Sequence, residues 1–213
     1  MYIDIHTHST ERGDNVTRII NSNDITHAGL YSTGLHPWDI GEGWQNLFAQ
    51  VEHNATHASV VAIGECGIDK LTKSNITLQK EVFEAHIHLA EKVKKPLIIH
   101  CVKAQEEIIA LHRLTRPTQP WIIHGFRGKP QQAKQLIREG FYLSYGEFFN
   151  EESLTATPLN RFLIESDTSL MSIEDIYKKV AKALNLDIES LISIIENNTA
   201  ECMLTGTRQD NFK

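Results

Sequence analysis

The segment PLIIHCVKAQEEIIALHRLTRPTQPWIIH, residues 96–124, contains two short apolar runs that each end in a histidine. The runs Leu97-Ile-Ile-His100 and Trp121-Ile-Ile-His124 are too apolar for strands of a sheet that is wet on one face. The residues between them, 104–114, have the pattern of a helix. This order predicts a strand, a crossover helix and a second parallel strand.

The same alternation extends over most of the chain. Strands are predicted over residues 2–6, 16–21, 30–35, 60–65, 96–100, 121–124, 141–144 and 162–165, and helices over 44–53, 76–93, 104–114, 130–139, 173–184 and 188–196. Very few residues join the first three strands. We therefore expect an α/β protein with a compact, distorted (β/α)8 TIM barrel whose first helices are shortened or missing. A doubly wound open sheet is the alternative, but the sequence contains neither G-x-G-x-x-G nor a P-loop.

Length and composition favour one globular domain over residues 1–213, with 41% hydrophobic and 23% charged residues. The net charge of −6 excludes a protein that binds long stretches of nucleic acid through an overall positive surface potential. The three cysteines include no C-x-x-C pair, and no apolar run is long enough for a signal peptide or a membrane span. We expect a cytoplasmic protein that does not associate with membranes.

Potential metal ligands occur at the ends of five predicted strands. His6 and His8 are two residues apart, so both side chains project from one face of a strand. The other four candidate ligands are Glu65, His100, His124 and Asp167. In a barrel these positions meet at the carboxyl rim, and six nitrogen and oxygen ligands suit two divalent ions, Zn²⁺, Mn²⁺ or Mg²⁺. Such a pair of ions indicates metal-assisted hydrolysis without a nucleophilic side chain.

Six motifs, in their order along the chain, resemble those of the TatD family of metal-dependent hydrolases. They are Tyr-Ile-Asp-Ile-His-Thr-His at 2–8, Gly-Leu-His-Pro at 34–37, Ile-Gly-Glu-Cys-Gly-Ile-Asp at 63–69, Pro-Leu-Ile-Ile-His at 96–100, His-Gly-Phe-Arg-Gly at 124–128 and Leu-Ile-Glu-Ser-Asp at 163–167. The resemblance implies a distorted barrel in which His6, His8 and Asp167 bind one ion, His100 and His124 bind the other, and Glu65 is shared. It also implies phosphodiester hydrolysis, typically 3′-to-5′ deoxyribonuclease action on DNA ends. In that reaction Asp167 would orient the attacking water and accept its proton.

The departures from the family pattern lie on the substrate side. Val102-Lys103 stands where the family usually has an arginine followed by an acidic residue, and Arg127 replaces a small hydroxyl residue. We expect His36, Lys103 and Arg127 to contact the substrate. Arg127 in particular can offer a planar pair of donors to a phosphate. The expected substrates are small phosphodiesters or single-stranded and end-exposed DNA, and no stable protein partner is predicted.

Two other functions remain open. The wider amidohydrolase superfamily has similar barrels and ligands, so hydrolysis of a carboxylic ester, lactone or amide is the alternative reaction. A barrel that binds metal without catalysis is the third possibility, although six intact ligands argue against it.

Overall fold

The computed structural model describes residues 1–11 and 14–203 and shows one sheet of eight parallel strands, which follow one another in chain order. The strands are β1 Tyr2–Thr7, β2 Val16–Asn21, β3 Leu30–Thr33, β4 Val60–Asp69, β5 Leu97–Val102, β6 Trp121–Ile123, β7 Tyr142–Tyr145 and β8 Phe162–Ile164. The sheet curves into a nearly closed barrel, which confirms the predicted TIM-barrel class. The expected single domain also includes residues 12–13 and 204–213, which lie outside the described residues.

Helices cover the outside of the barrel from β3 onward. They are α1 Trp44–Ala55, α2 Ile76–Val93, α3 Gln105–Thr115, α4 Pro130–Arg138, α5 Glu151–Ala156, α6 Ile173–Leu184 and α7 Ile188–Met203. In the described residues no helix joins β1 to β2 or β2 to β3, as the short spacing predicted. Side-chain caps at Asn75, Asn150 and Ser172 begin α2, α5 and α6, where they satisfy free backbone N–H groups.

Two apolar cores result from the alternation of side chains along the strands. Ile98 and Ile122 are paired across β5 and β6 and belong to an inner cluster inside the barrel. Their neighbours Leu97 and Trp121 point the other way and pack with helix residues such as Phe83 in the outer cluster. Strands that are apolar on both faces are therefore explained by burial on both faces.

The fourth strand differs from its prediction. It continues past Glu65 to Asp69, so Glu65 lies within the strand and not at its end. The pairing of β4 with β5 shifts register between Ile63 and Cys66. Gly64 and Gly67 have φ values of 136° and 140°, and a Cβ at either position would collide with the backbone of β5. This irregular backbone brings Glu65 into the barrel mouth.

The first and last strands meet at a short seam on the rim. Thr7 and Asp167 form an isolated parallel bridge, in which Asp167 N donates to His6 O at 2.9 Å and His8 N donates to Asp167 O at 3.1 Å. Asp4 strengthens the seam, because its carboxylate accepts the backbone N–H of Ser166 at 2.9 Å and the hydroxyl of Ser166 at 2.6 Å. The seam is therefore built from residues that flank or include the predicted ligands.

Within residues 1–11 and 14–203, none of the helices is long and apolar enough to cross a membrane.

Candidate metal centre

The barrel mouth brings together all six side chains that the sequence marks as candidate ligands. His6 and His8 come from the end of β1, Glu65 from β4 and His100 from β5. The remaining candidates follow β6 and β8 directly, and these are His124 and Asp167. His36, which follows β3, joins the same group. Four sets of three among these and neighbouring residues place one ligand atom each within 4.8 Å of the others.

Glu65 is the centre of the group. Its Oε1 lies 2.7 Å from His100 Nδ1, 2.8 Å from His124 Nε2 and 3.1 Å from His36 Nε2. Its Oε2 lies 3.3 Å from His6 Nε2 and 3.5 Å from His8 Nε2. One buried carboxylate thus faces two groups of imidazoles, one on each oxygen.

Asp167 closes the open side of this arrangement. Its Oδ1 lies 3.8 Å from His6 Nε2 and 3.6 Å from His8 Nε2, and its backbone has a φ of 52°. The side chain of Asp167 is about a quarter exposed, whereas those of His6 and Glu65 are buried. Among the carboxylates in the centre, Asp167 is therefore the one that water can reach.

The charges in the centre depend strongly on one another. Burial by itself would raise the pKa of Glu65, but the charge of His124 and hydrogen bonds from His100, His124 and His36 lower it far below its usual value. Burial likewise opposes charge on His124, yet Glu65 and Glu165 raise its pKa well above the usual value. The hydrogen bond with Glu65 also raises the pKa of His8. The surroundings therefore favour the ionised form of Glu65 and the protonated forms of His8 and His124.

Two further carboxylates hold the imidazoles from behind. Asp69 Oδ2 lies 3.2 Å from His100 Nε2, and Glu165 Oε1 lies 3.2 Å from His124 Nδ1 while accepting the N–H of Gly125 at 2.7 Å. The sequence prediction missed both residues as parts of the site. They lie in the motifs at 63–69 and 163–167, so the histidine-orienting carboxylates usual around metal sites were a signal available in the sequence.

The chemistry of His6 tests whether a cation fits here. Its imidazole is completely buried, and neither ring nitrogen has a hydrogen-bond partner. Buried ring nitrogens normally have one, so this residue is left with unused ligand capacity beside two carboxylates. Nitrogen and oxygen donors without thiolate suit Zn²⁺ or Mn²⁺, and the residues present fit a divalent cation.

The predicted substrate residues lie around this centre in different ways. His36 is in the centre itself, as its distance from Glu65 shows. A cavity of about 450 Å³ opens over Glu65 and Asp167, and a neighbouring cavity of about 760 Å³ is lined by Lys103 and Arg127. Among the described residues, neither Lys103 nor Arg127 has an ion-pair partner, although the guanidinium of Arg127 lies 5.1 Å from the ring centre of Phe148.

Two proteins with similar sequences match the chain over most of its length. An uncharacterized metal-dependent hydrolase of Bacillus subtilis, YabD, is 29% identical over 84% of this chain and 78% of the relative. A 3′-5′ ssDNA/RNA exonuclease TatD of Cronobacter turicensis is 29% identical over 75% of this chain, and the match spans only 65% of that exonuclease.

Solved structures share the fold. The TatD homologue YJJV of Escherichia coli superposes with a TM-score of 0.83 over 95% of this chain and 97% of that one, at 17% identity. A TatD family hydrolase of Entamoeba histolytica superposes with a TM-score of 0.76 over 95% of this chain and 97% of that one, at 18% identity.

The match to a family model gives the firmest assignment. The model of the TatD related DNases matches residues 3–203, which is nearly the whole chain. It confirms the family that the motifs indicated. Together with the names of the relatives, it also confirms the expectation of a hydrolytic enzyme. The chain belongs to the TatD related DNase family.

Proposed function

We propose that this enzyme is a divalent-metal-dependent phosphodiesterase that cleaves nucleotides from single-stranded or end-exposed DNA, or cleaves small phosphodiesters. The observation that carries the proposal is the ring of imidazoles around Glu65, with a buried His6 whose ring nitrogens make no hydrogen bond. The name of the Cronobacter relative, a 3′-5′ ssDNA/RNA exonuclease, supports the substrate class.

In this proposal the centre holds two ions. His6, His8 and Asp167 would bind one ion, His100 and His124 would bind the other, and Glu65 would lie between them. The two oxygens of Glu65 face these two groups of imidazoles, which supports the shared role. When bound, the ions would activate water and stabilise the negative charge that develops on the phosphate.

The chain's own residues position the reactants. Asp167 Oδ1 is at the accessible side of the centre, so we assign it to orient the attacking water and to accept its proton. His36, 3.1 Å from Glu65 and 3.3 Å from His100, is close enough to hold a phosphate oxygen over the centre. Asp69 and Glu165 keep the rings of His100 and His124 in their orientations.

Lys103 and Arg127 supply the positive charge that a nucleic-acid backbone needs. They line the cavity next to the centre and have no acidic partner among the described residues. Because the net charge is −6, these local cations and the metal ions must provide most of the electrostatic attraction. Short strands and ends therefore suit the site better than long duplex DNA. We also place the enzyme in the cytoplasm, where its free Cys66, Cys101 and Cys202 stay reduced.

The test is to measure metal content and then assay protein loaded with Mn²⁺, Mg²⁺ or Zn²⁺. The substrates are single-stranded DNA, bis(p-nitrophenyl) phosphate and a panel of carboxylic esters and lactones. We expect phosphodiester cleavage that His100→Ala and Asp167→Ala each reduce at least 100-fold, while His88→Ala, which removes an exposed histidine of α2, leaves it unchanged.

Three results would contradict the proposal. Phosphodiester cleavage that survives both substitutions would place the chemistry outside this centre. Ester or lactone cleavage without phosphodiester cleavage would identify the alternative reaction of the wider superfamily, and bound metal without turnover of any ester would identify a non-catalytic barrel.

A further inference from the structure

Trp38 is unusual among the tryptophans of this chain. It is 67% exposed, whereas Trp44 and Trp121 are only 8% and 1% exposed. With two thirds of the residue's surface accessible, much of the indole is open to solvent. At the mouth of a site, this aromatic surface is available to pack against a flat ligand, and covering it would be favourable.

The indole is held in place although it is exposed. Its Nε1 donates to Asp69 Oδ2 at 2.7 Å, and the rings of Trp38 and His36 lie nearly perpendicular to each other with their centroids 4.9 Å apart. The backbone N–H of Trp38 also bonds to His36 Nδ1 at 3.1 Å. A side chain that is already ordered loses little conformational entropy when it binds a ligand.

The position of Trp38 connects it with the proposed metal centre. It lines both the 450 Å³ cavity over Glu65 and Asp167 and the 760 Å³ cavity that contains Lys103 and Arg127. The centroid of its ring is 6.2 Å from that of His100. A phosphate bound over the centre would therefore have an aromatic surface on one side and cations on another.

The electrostatic surroundings favour a neutral partner for the indole. Asp39 follows Trp38 in the chain, and the carboxylate of Asp69 accepts the indole N–H, so a phosphate would be repelled there. A nucleobase is flat, uncharged and apolar on its faces, and stacking on aromatic side chains is how proteins bind single strands without reading sequence.

We infer that Trp38 is the stacking platform for the nucleobase next to the phosphodiester bond that is cut. The inference rests on the proposed function and makes it more specific, because it selects nucleic-acid ends over phosphodiesters that lack a base. Stacking of this kind changes affinity by about 5- to 150-fold per base. Because no base-specific hydrogen bond is involved, the four bases should differ little.

The experiment measures binding of a fluorescently labelled trinucleotide with phosphorothioate linkages, which resist cleavage, by fluorescence anisotropy. A second trinucleotide carries an abasic residue at its terminal position. We expect the metal-loaded wild type to bind the first about 5- to 150-fold more tightly than the second. Trp38→Ala should bind both equally, and Trp38→Phe should keep most of the difference.

The two substitutions separate stacking from the hydrogen bond to Asp69, because both remove the indole N–H and only the alanine removes the aromatic face. Quenching of wild-type tryptophan fluorescence by the base-bearing ligand alone would report the stacked complex directly, since the other two tryptophans are buried. Equal discrimination in the wild type and Trp38→Ala, or no discrimination in the wild type, would overturn the inference.

A parallel assay of the wild type on bis(p-nitrophenyl) phosphate and single-stranded DNA distinguishes the two failures. Turnover of either substrate without base discrimination would refute only the role of Trp38. Lack of phosphodiester turnover would refute the proposed function.

Discussion

Replacing the buried carboxylate Glu165 with glutamine should weaken metal binding while leaving the six predicted ligands unchanged. Glu165 Oε1 lies 3.2 Å from His124 Nδ1 and accepts the N–H of Gly125 at 2.7 Å. A glutamine carbonyl can keep both contacts, but it no longer carries the charge that makes His124 a stronger ligand. Loss of such a supporting partner typically reduces metal affinity or activity 10- to 100-fold.

The structure also sets the expected change in stability. A metal present at 100 times its dissociation constant stabilises a protein by about 2.7 kcal/mol, and a 10- to 100-fold weaker site would leave about 1.4 to 0.4 kcal/mol. In metal-free protein two effects oppose each other. Glutamine removes a buried charge, but its amide takes the place of Glu165 Oε2, which has no hydrogen-bond partner. Glu165→Gln should therefore lower the stability of the protein mainly when metal is present.

The assay is competition with a chelating dye for affinity, together with thermal unfolding with and without metal. Glu139→Gln is the matched control, because it removes the charge of a glutamate that pairs with Arg113 on the outside of the barrel. Its metal affinity should equal that of the wild type. A Glu165→Gln affinity within about twofold of the wild type would refute the reasoning that this carboxylate supports His124.

Three further predictions concern other titratable groups. His86→Leu should cost about 1–3 kcal/mol in urea unfolding, because the buried Leu35 N–H that donates to His86 Nε2 at 2.9 Å loses its acceptor; a loss below about 0.5 kcal/mol would contradict this. Burial raises the pKa of Asp4 to about 7, so its contribution to stability is fully present below about pH 4 and is lost as the pH rises to 7, by at most about 4 kcal/mol. In metal-free protein, measured with a chelator present, Asp4→Asn should therefore be more stable than the wild type at pH 8 but not at pH 4. The same dependence of unfolding free energy on pH in both proteins would refute this. Because the pKa values of His8 and His124 are raised, metal binding at pH 7 should release protons and should weaken as the pH falls. Calorimetry in two buffers of different ionisation enthalpy measures this proton release, and binding without proton release would contradict the prediction.

The barrel could be predicted because its strands are apolar on both faces and the ligand residues repeat at their ends. His100 and His124 follow identical Ile-Ile pairs, and the carboxyl ends of parallel strands must share one rim. The predicted bounds of β2, α2 and α6 match the structure. Helix α5 was missed because Glu151–Ala156 is only six residues long, too short for a helical period to show.

Other parts of the site depend on geometry that periodicity does not carry. Glu65 reaches the centre from the middle of β4, because positive φ values at Gly64 and Gly67 and a shift of register interrupt the regular alternation. His36 was expected near the site, but only the curvature of the sheet shows that it lies 3.1 Å from Glu65. The exposure of Trp38 is likewise a tertiary property, since its neighbours in the chain give no sign of it.

The seam between β1 and β8 has a consequence for synthesis of the chain on the ribosome. The edge of β1 that bonds to Asp167 has no partner until about 160 more residues have been made, so β1 presents an open sheet edge during most of the synthesis of the barrel. In the proposed centre, an ion held by His6, His8 and Asp167 would join the same two ends as a crosslink that closes a very long loop. Cells short of that metal should therefore show slower maturation and more aggregation of newly made protein, even if mature enzyme persists.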